Sequence, residues 1–171
     1  MKKLVLLFAL IIATTASVFA QKIALIDTEY ILKRIPAFEQ SNQELETFSK
    51  KWQAEIDVVQ KEAQDMYKKY QADLALLTPE GKTKREQQII DKERQVQDLR
   101  KKYFGPEGEM FRRREAMIAP IQEDIYEAVK LLSQENGYQL VMDRASSSGI
   151  IFATPQIDIS NDVLATLGYS K

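Results

Sequence analysis

The feature that most constrains this chain is an apolar train with helical spacing that fills much of the stretch from Pro36 to Asn136. After Leu45, apolar residues recur at Phe48, Trp52, Ile56, Val59, Ala63, Met66, Tyr70, Leu74 and Leu77, always three or four positions on. Such steps average close to the ~3.6-residue turn, so these side chains fall on one stripe of an α-helix. A second train, Ile89, Val96, Tyr103, Met110 and Met117, advances seven residues at a time, the repeat that keeps a seam facing a partner helix. Between the trains, Thr78 suits an N-cap and Pro79 a first helical position, and proline disfavours helix at the residue before it. The spacing therefore predicts two long helices meeting at an apex near residues 77–82. A helix of about 42 residues spans on the order of 60 Å, too long to be buried in a chain of this size. The two helices must cover each other as an antiparallel coiled-coil arm over residues 36–137, with 21–35 and 138–171 gathered at its base.

The N-terminus reads as a secretory signal over residues 1–20: Met1-Lys2-Lys3, an apolar run from Leu4 to Ala13, and Val18 and Ala20 ahead of Gln21. A membrane anchor is the competing reading, but the apolar run is short for a span of about 20 residues. Next, Lys22-Ile23-Ala24-Leu25-Ile26-Asp27 reads as a buried strand, followed by a short helix from about Thr28 to Arg34 that Pro36 interrupts. Asp27 suits capping of that helix; a functional acid is the alternative. On the returning helix, Phe104-Gly105-Pro106-Glu107-Gly108 should break the helix, yet the heptad phase crosses it unchanged, which implies a kink or one disturbed turn. Phe104, Phe111, Ile118, Ile125 and Leu132 form a second apolar column here. A stripe two columns wide exceeds what one antiparallel partner covers, so it meets either a thick core or another subunit.

Past Gly137, which ends the arm, Tyr138 to Asp143 and Gly149 to Thr154 read as two strands of a hairpin joined by Arg144-Ala145-Ser146-Ser147-Ser148. Ser160 suits the cap of a last short helix. The fold class expected is mainly α, with the helical hairpin attached to a small β body of three strands per chain. Open edges on so small a sheet would favour pairing between subunits.

Composition removes most chemistry. The chain has no cysteine and no histidine, so thiol and imidazole catalysis, disulfides and nearly all zinc sites are excluded. A net charge of −1, more acidic once Lys2 and Lys3 are removed, gives a nucleic-acid role little support. Gly81-Lys82-Thr83 resembles the tail of a phosphate loop, but Leu76 stands where the first glycine belongs. Glu123, Asp124 and Glu127 lie among basic residues on wet helix faces, and Arg112-Arg113-Arg114 fans around a helix. No catalytic, cofactor or metal residue is assigned, and no enzyme activity is expected.

An exported chain with Lys22-Ile23-Ala24-Leu25-Ile26-Asp27, Glu29-Tyr30-Ile31-Leu32, a long helical hairpin, Ala119-Pro120-Ile121, Glu135-Asn136-Gly137-Tyr138 and Ile157-Asp158-Ile159-Ser160-Asn161-Asp162-Val163-Leu164 resembles the OmpH/Skp family of periplasmic chaperones. The resemblance covers essentially the whole mature chain. It implies a homotrimer whose strands join in a small barrel, with three arms around a cavity. It also implies a function: an ATP-independent holdase that keeps unfolded outer-membrane proteins from aggregating, with the outer-membrane assembly machinery as a further partner. Such a protein is soluble in the periplasm and not integral to a membrane. Long arms would hold an extended client by many weak contacts, and Val58, Tyr67, Leu76, Ile90, Phe104 and Phe111, all off the seam, are the candidate client-contact residues. Packing against neighbouring helices is their alternative role, above all for Phe104 and Phe111. The chain departs from the basic character of familiar members, so apolar and polar contacts weigh more here than charge steering. A structural spacer or adaptor of the cell envelope is the rival function for the same arm.

Overall fold

The computed structural model describes residues 22–146 and 149–169; the expected signal segment lies outside the described residues. Strand β1 (Lys22–Ile26) leads through Asp27 into a short helix, α1 (Thr28–Leu32). Asp27 does cap it, its carboxylate accepting from the Tyr30 backbone N–H at 2.9 Å. Pro36 opens the long helix α2 (Pro36–Asp73) at its first turn, where the missing N–H costs nothing. The chain turns over residues 74–78, so the bend starts a little earlier than the spacing predicts and Leu74 stands exposed beyond the helix end. Thr78 then caps α3 (Pro79–Phe104), its hydroxyl accepting from the Gly81 N–H.

The returning helix is interrupted for one turn, Gly105 to Gly108, before α4 (Glu109–Asn136). A Cβ at Gly105 would stand 2.4 Å from the Lys101 carbonyl oxygen, so only glycine fits this close approach. The seam keeps its phase across the gap: Ile89, Val96 and Tyr103 are buried, and Met110 packs into the same cluster. Pro120 lies inside continuous helix. Gly137 closes α4 in the left-handed region at φ 72°, which glycine enters without strain.

Strand β2 (Tyr138–Asp143) lies parallel to β1, with Ala24 opposite Val141 and Ile26 opposite Asp143. A parallel pair needs a long crossover, and here the whole helical excursion from residue 28 to 136 serves as one. This corrects the expected hairpin and its third strand. Residues 151–154 carry no regular structure, and Ile151 and Phe152 are 98% and 83% exposed. The reason is visible at Arg144: its backbone N–H donates to the Ile26 carbonyl at 2.8 Å, and its guanidinium reaches Asp27 and Asp158, both at 3.1 Å. The chain leaving β2 is thereby drawn towards the end of β1 instead of folding back along β2. A 3-10 turn (Pro155–Ile157) then brings Asp158 beside Leu25, and the Ile159 N–H donates to the Leu25 carbonyl.

Helix α5 (Ser160–Thr166) completes the base. Contrary to expectation, Ser160 is not its side-chain cap but a buried link, accepting from the Asp27 N–H at 2.8 Å and donating to Asp158 at 2.6 Å. The core here joins Ala24, Ile31, Ile125, Ile159 and Val163, with Ile121 and Ala128 from the lower part of α4. Much of the second apolar column is thus covered within the chain: Ile118 and Ile125 are buried and Leu132 is half-buried, whereas Phe104 and Phe111 are not.

Candidate functional site

Along the arm, α2 and α3 bury a seam only one side chain wide, so each helix keeps most of its circumference in solvent. Val58, Tyr67, Leu76, Ile90, Phe104 and Phe111 are all exposed, but the structure does not gather them into one patch. Tyr67 lines a groove of about 420 Å³ between the two helices, together with Gln60 and Gln64 of α2 and Gln97 and Arg100 of α3. Ile90 and Phe104 stand seven residues either side of Gln97 and therefore share its side of the arm. Phe111 continues that column past the break. Val58, two positions before Gln60 and so roughly 160° away round the helix, faces elsewhere. Leu76 projects from the apex turn, 86% exposed.

Where the arm meets the interrupted turn, the rings of Trp52 and Tyr103 stack 4.9 Å apart and nearly parallel, with Phe48 5.5 Å from Trp52 on its own helix. The Arg113 guanidinium covers the Phe48 ring at 3.8 Å, and the Tyr103 hydroxyl donates to Glu55 at 2.9 Å. One member of the arginine run is thus a lid on aromatic surface. Sequence spacing alone could not show this, because Arg113 and Phe48 lie on different helices. Phe104 combines its two candidate roles, edge-on to Trp52 at 6.3 Å yet 40% exposed.

Polar contacts stitch the flanks of the arm. Lys92 pairs with Glu62 at 3.0 Å, Arg100 donates to Gln60 at 2.8 Å, and the Tyr70 hydroxyl donates to Glu86. That last bond pushes the Tyr70 phenol above its ordinary value, because losing the proton would break it. The phosphate-loop likeness at Gly81 dissolves into the first turn of α3.

At the base, the acids hold chain ends together. Asp143 accepts from the Thr28 hydroxyl at 2.7 Å and its N–H at 3.1 Å. Burial works against the Asp143 charge, but the hydrogen bonds from Thr28, Ser146 and Ala145 outweigh it and hold the carboxyl below its ordinary value. Asp27 and Asp158 are engaged by Arg144. Every acid of this cluster already has a structural partner, an arrangement suited to fixing a fold and not to moving protons. Beside β2 lies a second cavity of about 570 Å³, mostly apolar, lined in part by Tyr126, Val129 and Leu140. Among the described residues no acidic cluster could hold a metal ion, and no helix is long and apolar enough to cross a membrane.

Residues 22–167 match the family model described as outer membrane protein (OmpH-like). The chain is 29% identical over 155 residues to the chaperone protein Skp of Yersinia enterocolitica, covering 91% of each. It is 26% identical over 156 residues to the chaperone protein Skp of Pectobacterium atrosepticum, again over 91% of each. A crystal structure of a protein from Caulobacter crescentus CB15, described as an OmpH-like outer membrane chaperone, superposes with a TM-score of 0.67 at 13% identity, covering 85% of this chain and 83% of that one. At such identity the likeness speaks for the fold.

Proposed function

From the premise that this chain belongs to the OmpH-like family, we propose that it is a periplasmic holdase chaperone, not an enzyme, that binds unfolded outer-membrane proteins without ATP. The observation that carries the reading is the arm itself: a slender two-helix rod with Tyr67, Ile90, Phe104 and Phe111 left in solvent. An outer-membrane barrel precursor is an extended chain of alternating apolar and polar residues whose strand edges must not pair early. A long surface of scattered apolar side chains holds such a chain by many exchangeable contacts. With this goes a division into a signal segment (1–20), an arm (36–137) and a base (21–35 and 138–171).

The base further supports self-association as a homotrimer. Within one chain the outer edge of β2 has no strand partner among the described residues, an apolar cavity opens beside it, and Ile151 and Phe152 stand in solvent. Exposed edges and apolar segments of this kind are stabilised by pairing with a further copy. Three joined bases would set three arms around a shared space able to enclose a client and present it to the assembly machinery of the outer membrane.

Sedimentation analysis of residues 21–171 should return the mass of a trimer. A urea-denatured outer-membrane barrel protein diluted into buffer should stay soluble when the trimer is present and scatter light when it is absent. Saturable binding of a folded envelope protein with no suppression of aggregation would instead identify a structural adaptor.

A further inference from the structure

Four glutamines follow one line along α2. Gln53, Gln60, Gln64 and Gln71 are separated by seven, four and seven residues, and each of those steps returns to within about 40° of the same direction on an α-helix. Gln60 and Gln64 form one wall of the groove between α2 and α3, Gln97 stands on the other, and Ala63 and Val96 lie between them. The charges in the groove are mixed, Lys68 and Arg100 beside Glu93. Arg100 occupies the acceptor of Gln60 at 2.8 Å and leaves that amide's two N–H donors to other partners. Gln64 and Gln97 are exposed.

We propose that this groove takes an extended polypeptide by its backbone edge, an inference that rests on the chaperone reading above and names what the arm recognises. The edge of an extended chain offers the N–H and C=O of every second residue, about 6.4–6.8 Å apart. A carboxamide carries a donor and an acceptor side by side, so Gln64 and Gln97 each complement that pair of dipoles whatever side chain the client residue bears, while Gln60, its acceptor held by Arg100, offers its N–H donors to a client carbonyl. Gln60 and Gln64, four residues apart, are displaced by about 6 Å along the helix axis, close to the strand repeat. At Gln64 or Gln97 a lysine or a carboxylate would satisfy only half of each pair, and a leucine neither half. Ile90 and Phe104, flanking Gln97 on the same side, are placed to meet the client's apolar side chains. Amide pairing thus suits clients that share an unpaired backbone and differ in sequence.

The test titrates the full-length mature protein into a fluorescently labelled outer-membrane barrel protein diluted from urea, and compares wild type with Gln60→Leu/Gln64→Leu/Gln97→Leu. Leucine is of similar size and favours helix, so apolar contact alone would tighten binding, whereas loss of backbone pairing should weaken it about tenfold. Tighter or unchanged binding overturns the inference. Because Gln64 is exposed and outside the seam, the single variant Gln64→Leu covers the case in which the triple variant fails to fold, and it should weaken binding about threefold; no change or a gain there is equally fatal. A wild-type protein that does not hold the barrel chain removes the chaperone reading and this inference with it, so the two failures are distinguishable.

Discussion

Along the arm, Trp52 and Ile56 meet Val96 and Tyr103 in a narrow file, with Leu45, Ala63 and Ile89 also buried, whereas at the base Ala24, Ile31, Ile125, Ile159 and Val163 arrive from both ends of the sequence and close around one another. The file has water on both flanks, and each turn depends mainly on the turn opposite. In the base, the loss of one contact exposes several. A rod of the first kind opens locally at small cost, which suits the client-holding role proposed for it; a core of the second kind opens as a unit. The aromatic collar of Phe48, Trp52 and Tyr103 is where the arm departs from its own thinness.

The sharpest break of that comparison is Trp52→Ala. Deleting the stacked ring should cost about 3–5 kcal/mol, and hydrogen exchange should show lost protection around residues 48–59 and 96–110 with the base unaffected. Equal loss in β1 and α5 would show that arm and base unfold together. Ile31 is fully buried in the base, and Ile31→Ala should cost about 3 kcal/mol in chemical denaturation, abolishing protection of both strands while the apical half of α2 and α3 keeps its own.

Asp143→Asn tests the polar side of the base. Because the folded carboxyl lies below its ordinary value, its stabilisation is present above the unfolded pKa of about 4 and fades as the pH falls through the lower folded value. The variant should be less stable than wild type by about 1–2 kcal/mol at pH 7, and the gap should narrow progressively in denaturation curves taken below about pH 4. A gap independent of pH would assign the effect to packing. Smallest is Thr78→Ala at the apex, where a lost cap should cost about 1 kcal/mol. It should appear as faster exchange at Gly81 and Lys82 with little change in the global midpoint.

Much of the arm was legible in the residue order. Every predicted seam position from Leu45 to Tyr70 is buried or half-buried, and Thr78 and Pro79 start α3 as their chemistry requires. Of the candidate contact surface, only exposure was legible. All six candidate residues are exposed, yet Val58 and Tyr67 turn out to lie on different sides of the rod. The lid that Arg113 places over Phe48 and the groove walls of Gln60, Gln64 and Gln97 went unread. Signals existed for the last of these, since the glutamine spacing is as regular as that of the seam, but polar periodicity on a wet face carries no obligation to be covered.

Helical spacing by itself determined the arm and its seam, because an α-helix is closed by hydrogen bonds within four residues and its buried stripe repeats along the chain. Only the tertiary structure decided that β2 lies beside β1 and not against residues 149–154, that Ser160 links instead of caps, and that the lower α4 column is covered from within. Those outcomes turn on a competition among segments more than a hundred residues apart. Arg144 bridges Asp27 and Asp158 where those segments meet, a contact with no periodic trace in the sequence.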